Sequence, residues 1–68
     1  MTVSENIYKI IKEKMLIQSA VAKKAGYSAK AFNNMLRGRK LILAEDVLRI
    51  SNALEVTPNE LFGYDETA

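Results

Sequence analysis

A small residue, Ala22, stands four positions before Gly26, and two apolar residues, Phe32 and Met35, follow that glycine by six and nine. Each position has a physical reason. Ala22 lets two helices approach at their crossing, Gly26 supplies the left-handed backbone that turns the chain, and Phe32 and Met35 anchor the second helix on a core. With Ser28 as a natural N-cap, the spacing describes two short helices that meet across a tight turn. The rest of the chain agrees. Among 68 residues there are one Pro and three Gly, and most of the others are good helix formers, so the expected fold is all-α.

Hydrophobic spacing extends this to five helices joined by short turns, in a single domain over residues 1–68. The first covers about residues 4–14, with Ser4 as N-cap and Ile7, Ile10 and Ile11 as its buried stripe. The second, about residues 18–25, turns Val21, Ala22 and Ala25 inward and ends at Gly26. The third follows Ser28, buries Phe32, Met35 and Leu36, and stops at Gly38. A fourth, about residues 44–54, sets Val47, Leu48, Ile50, Ser51 and Leu54 on one face. Thr57 and Pro58 read as N-cap and first residue of a short last helix through Leu61 and Phe62. Residues 63–68 are expected to fray, although Tyr64 has a ring that could dock.

The chain has no Cys and no His. That removes disulfides, thiolate and imidazole metal ligands, cysteine nucleophiles and the usual general base. No nucleophile, base and orienting group can be assembled from the remainder, so neither an enzyme, a cofactor nor a metal is expected. The apolar runs are too short to span a bilayer and no signal-peptide pattern opens the chain, so the expected location is cytoplasmic. The net charge of +2 conceals an asymmetry. Residues 14–40 hold Lys14, Lys23, Lys24, Lys30, Arg37, Arg39 and Lys40 and no acid, whereas beyond them Glu45, Asp46, Glu55, Glu60, Asp65 and Glu66 face Arg49 alone. A charge run can be a solvated helix face, but this one-signed block coincides with the two-helix motif and points to double-stranded DNA as partner.

On these residues the chain resembles the phage repressor and Cro type of helix-turn-helix regulators, the XRE family. The likeness covers about residues 5–62. It includes the motif at residues 18–37, the Arg37-Gly38-Arg39-Lys40 run, and a closing pattern through Val47, Leu48, Ile50, Ala53, Leu54, Val56, Pro58, Leu61 and Phe62. The resemblance implies a five-helix lambda-repressor-like DNA-binding domain whose third helix enters the major groove, usually as a two-fold homodimer on a palindromic site. There are departures. Ile11 and Leu36 stand where the family often pairs an Arg with a Glu, so a hydrophobic contact is expected in place of an ion pair. Ile17, Ile42 and Leu43 stand where the family tends to have Ser, Pro and Ser or Thr, so two helix caps are missing. Leu41, Ile42 and Leu43 either fill the gap between the third and fourth helices or offer a partner surface.

The third helix leaves Ala29, Lys30, Asn33, Asn34 and Arg37 on its outer face. Lys30 can donate to guanine O6 and N7, Asn33 or Asn34 can pair with adenine N6 and N7, and Ala29 can touch a thymine methyl. The resemblance makes Gln18 a phosphate contact through its side chain and the helix N-terminus. It places Arg37, Arg39 and Lys40 along the backbone, with Tyr27 and Ser28 nearby offering polar hydrogens. Lys23 and Lys24 lie on the back of the second helix and need not face DNA. For dimerisation it points to Val56, Pro58, Asn59, Phe62 and Tyr64, although Val56 is equally a core candidate and Pro58 is explained by helix initiation. The competing function is a protein-interaction module that uses the acidic C-terminal half as its surface. Steeply salt-dependent binding to duplex would separate the two, because only phosphate neutralisation produces it.

Overall fold

The computed structural model describes residues 2–64, which form five helices: α1 (Val3–Glu13), α2 (Gln18–Ala25), α3 (Ala29–Leu36), α4 (Ala44–Leu54) and α5 (Pro58–Phe62). No strand occurs among the described residues, and the fold is all-α as expected. Of the C-terminal tail expected to fray, residues 65–68 lie outside the described residues.

All five helices end alike. A residue just past the last turn adopts the left-handed conformation, and its N–H and the next one return to carbonyls of that turn. At the end of α2, Gly26 (φ +91°) donates to Lys23 O at 3.1 Å and Tyr27 to Ala22 O at 2.8 Å. A Cβ at Gly26 would meet nothing within 4 Å, so glycine is favoured there by its dihedral and not by space. Met15 (φ +57°) and Glu55 (φ +58°) do the same work for α1 and α4, each at about 1 kcal/mol of backbone strain.

The helix starts differ more. Thr2, not Ser4, caps α1: Thr2 Oγ1 accepts from the Glu5 N–H at 3.2 Å and Glu5 Oε1 accepts from the Thr2 N–H at 2.9 Å. The reciprocal pair needs a Glu or Gln three residues after the cap, and Ser4 has Ile7 there. Ser28 caps α3 as expected, its Oγ accepting from the Ala31 N–H at 3.1 Å. α2 and α4 begin at Ile17 and Leu43, neither of which has a side-chain acceptor. The start of α4 is repaired from within, because Asp46 Oδ2 accepts the Leu43 N–H at 2.9 Å.

The core joins Ile7 and Ile11 of α1, Val21, Ala22 and Ala25 of α2, Phe32 and Met35 of α3, Val47, Ile50, Ala53 and Leu54 of α4, and Leu61 of α5. α2 packs on α3 and α4, α1 on α3 and α5, and α4 on α5. Ile10 and Leu36 are half-buried at its edge. Leu48, expected inside, is exposed: Asp46, Val47, Ile50, Ser51, Ala53 and Leu54 define the buried arc of α4, and Leu48 falls on its far side. The strip between α3 and α4 divides, with Ile42 half-buried on the core and Leu41 and Leu43 exposed. Asn6 is buried and satisfied, its Nδ2 donating to Leu61 O at 3.0 Å and tying α1 to α5. Among the described residues, no helix is long and apolar enough to cross a membrane.

Candidate nucleic-acid interface

The geometry of α3 follows from its two faces. Phe32 and Met35 are fully buried, and the Tyr27 ring stacks on Phe32 with centroids 6.2 Å apart and planes 15° from parallel. The helix therefore cannot roll without opening the core. Ala29 and Lys30 are exposed on the outer face, Asn33 and Asn34 are half-buried, and Arg37 is exposed just past the last turn. Gln18, at the first position of α2, donates from Nε2 to Asn33 Oδ1 at 3.3 Å. This bond links the start of α2 to the middle of α3 and sets the Asn33 amide with its own N–H donors pointing elsewhere.

Around this link runs an open groove of about 580 Å³, lined by Gln18, Asn33, Leu36 and Arg37 and by Tyr8 and Lys9 of α1, with Glu5 at its rim. Sequence reasoning missed Tyr8 and Lys9 because they lie outside the motif. The available signal was helical spacing, which puts Lys9 opposite the buried Ile7 and Ile11 and Tyr8 on the flank of that stripe. Lys12 Nζ sits 5.4 Å from the Tyr8 ring centroid, a cation over an aromatic face.

Beyond α3, Arg39 and Lys40 are exposed in an irregular segment at residues 37–43. Ser28 is exposed, and while its Oγ accepts from Ala31 its own hydrogen remains available to donate. Tyr27 is different: its hydroxyl donates to Asp46 Oδ1 at 2.5 Å, so the proton that the sequence offered to a phosphate is engaged inside the fold. Burial and the Asp46 carboxylate together push the phenol up to about 12. The Tyr27 hydroxyl, followed by the Leu43 N–H, holds Asp46 below the ordinary carboxylate value. Lys23 and Lys24 are exposed on α2, with Lys24 Nζ 3.9 Å from Glu55 Oε2, an open pair worth little.

Of the residues expected at a dimer contact, Asn59, Phe62 and Tyr64 are exposed, whereas Val56 and Pro58 are half-buried and Val56 rests on the core. Among the described residues, no group of His, Cys, Asp and Glu could hold a metal ion.

A helix-turn-helix family model matches residues 7–61. No curated protein matches the chain. Among solved structures, the fold is similar to the restriction-modification controller protein C.AhdI from Aeromonas hydrophila, at a TM-score of 0.82 and 23% identity over 88% of this chain and 87% of that one. It is also similar to the DNA-binding domain of the P22 C2 repressor, at a TM-score of 0.84 and 27% identity over 91% of this chain and 82% of that one.

Proposed function

The chain belongs to the helix-turn-helix family, and on that footing we infer that it is a sequence-specific regulator of transcription that binds double-stranded DNA. It acts as a repressor, a homodimer on a short palindromic operator. One observation carries this reading: Ala29, Lys30, Asn33 and Asn34 stand outward on a helix fixed from behind by fully buried Phe32 and Met35, inside a segment without a single acid from residue 14 to residue 40. The likeness to a domain described as the DNA-binding part of a repressor supports it.

With α3 in the major groove, Lys30 donates to guanine and Asn34 pairs with adenine, while Asn33 works from the orientation Gln18 imposes and Ala29 meets a methyl group. Gln18 at the N-terminus of α2, Ser28, Arg37, Arg39 and Lys40 hold the phosphates on either side, and Lys9 in the shared groove adds a further cation. Two copies meet through Phe62, Tyr64, Asn59 and Pro58 at α5. Their half-sites are centred about 10 bp apart, so that both recognition helices address one face of the duplex. Selection of bound duplexes from a random pool tests this: a two-fold consensus is expected. An asymmetric site held by one monomer would remove the dimer, and no enrichment at all would remove the DNA.

A further inference from the structure

One carboxylate joins three segments of the fold. Asp46 is buried in the first turn of α4. Its Oδ1 accepts from the Tyr27 hydroxyl at 2.5 Å, in the turn between α2 and α3, and its Oδ2 accepts from the Leu43 N–H at 2.9 Å, where residues 37–43 end. The other end of that segment closes onto α3, with Arg39 N–H donating to Asn34 O at 2.9 Å. Between these ends Arg39, Lys40 and Leu41 are exposed, and Ile42 is half-buried on the core. α3 packs on α1 and α2 while α4 packs on α2 and α5. Beside α2 and the shared core, the Tyr27–Asp46 bond is thus a further tie that sets the placement of one relative to the other.

We propose that Tyr27 and Asp46 are positioning residues for duplex binding. Their hydrogen bond holds the start of α4, and with it Arg39 and Lys40, in register with the α2–α3 turn, so that both cations meet phosphates beside the groove that α3 occupies. The inference rests on the DNA-binding reading above. Without the bond, the two cations must be ordered during binding, and that entropy is subtracted from affinity. The loss is independent of sequence, because phosphates carry no sequence.

A double-mutant cycle on a mixed-sequence duplex, titrated by fluorescence polarisation at several salt concentrations, tests it. Tyr27→Phe keeps the ring on Phe32 and removes the hydroxyl. It is expected to weaken binding by about tenfold in the parent but by less than about twofold in an Arg39→Ala, Lys40→Ala background, and to shallow the parent's salt dependence. Asp46→Ala gives the same pattern as a second variant, and Asp46→Asn, whose amide can still bridge both partners, recovers most of the loss. Circular dichroism confirms folding at the binding temperature. A merely structural role would lower the melting temperature and leave the affinity of the folded protein and its salt slope unchanged. That outcome, or an equal loss in both backgrounds, overturns the proposal. A parent that binds no duplex overturns the DNA-binding reading and this inference together, a result distinct from an unchanged Tyr27→Phe on a parent that binds.

Discussion

α3 and the segment that follows it carry adjoining parts of one surface on opposite kinds of scaffold. α3 is capped by Ser28, anchored by two fully buried side chains and linked to α2 through Gln18. Residues 37–43 have no regular structure, and Leu41 among them is 77% exposed. The difference matches what the proposed function asks of each part. A base edge demands donors placed to a few tenths of an ångström, which a rigid element supplies; a phosphate accepts a cation over a wider range of approach, so a segment tied only at its two ends, to Asn34 O and to Asp46, is enough.

The strongest way to break this contrast is to remove its foundation. Phe32→Ala is expected to cost about 3 to 5 kcal/mol, comparable with the whole stability of a domain this small, whereas Leu41→Ala should stay within about 0.5 kcal/mol. Urea titration of both variants measures it. A similar loss for the two would mean that the segment is as structural as the helix.

Next come the bases. Lys30→Ala and Asn34→Ala are each expected to cost about 1 to 3 kcal/mol on the selected operator and little on random duplex. Arg39→Ala and Lys40→Ala should instead weaken every duplex alike and shallow the salt dependence by about one unit each. Titrating all four against both duplexes sets the comparison directly. Uniform loss from Lys30→Ala and Asn34→Ala would show that α3 holds DNA without reading it.

The smallest effect is set by pH at the junction of the two regions. The Tyr27 phenol is raised from 10.0 to about 12, so its contribution to stability is complete below pH 10 and disappears as pH rises through about 12. Asp46 is lowered from 3.8, so its contribution is present above that value and is lost as pH falls through its lowered one. The melting-temperature difference between parent and Tyr27→Phe should be constant between the ordinary carboxylate value and pH 10, shrink at acid pH as Asp46 is protonated, and close toward pH 12. A difference that persists unchanged at the alkaline end would mean the hydroxyl is not bonded to Asp46.

Most of the fold was legible because its punctuation is local. Gly26, Ser28, Gly38 and the Thr57-Pro58 pair each mark a boundary by their own backbone chemistry, and the end of α2, both ends of α3 and the start of α5 fall where those signals put them, while α4 was found from its apolar spacing alone. The start of α1 was misread since Thr2 and Ser4 can both cap, and only the position of Glu5 decides between them. Leu48 was misplaced because apolar spacing alone does not say which arc of a helix the neighbours cover, and on α4 that arc includes a polar pair, Asp46 and Ser51. The outer face of α3 could be read from helical periodicity. The Tyr27–Asp46 and Gln18–Asn33 bonds could not, because they join residues 19 and 15 positions apart that leave no pattern in sequence. Lys9 enters the groove only through the crossing of α1 on α3.

The Asn6–Leu61 hydrogen bond spans 55 positions of the chain. Neighbouring pairs such as α2 with α3 or α4 with α5 close short loops and can form early in folding, but the seam between α1 and α5 closes the longest loop, whose entropy must be lost before any contact rewards it. That seam is expected to assemble after the rate-limiting barrier. A change at Asn6 would then hasten unfolding and leave the rate of folding nearly untouched, so this one buried amide governs the lifetime of the native molecule and not the speed of its formation.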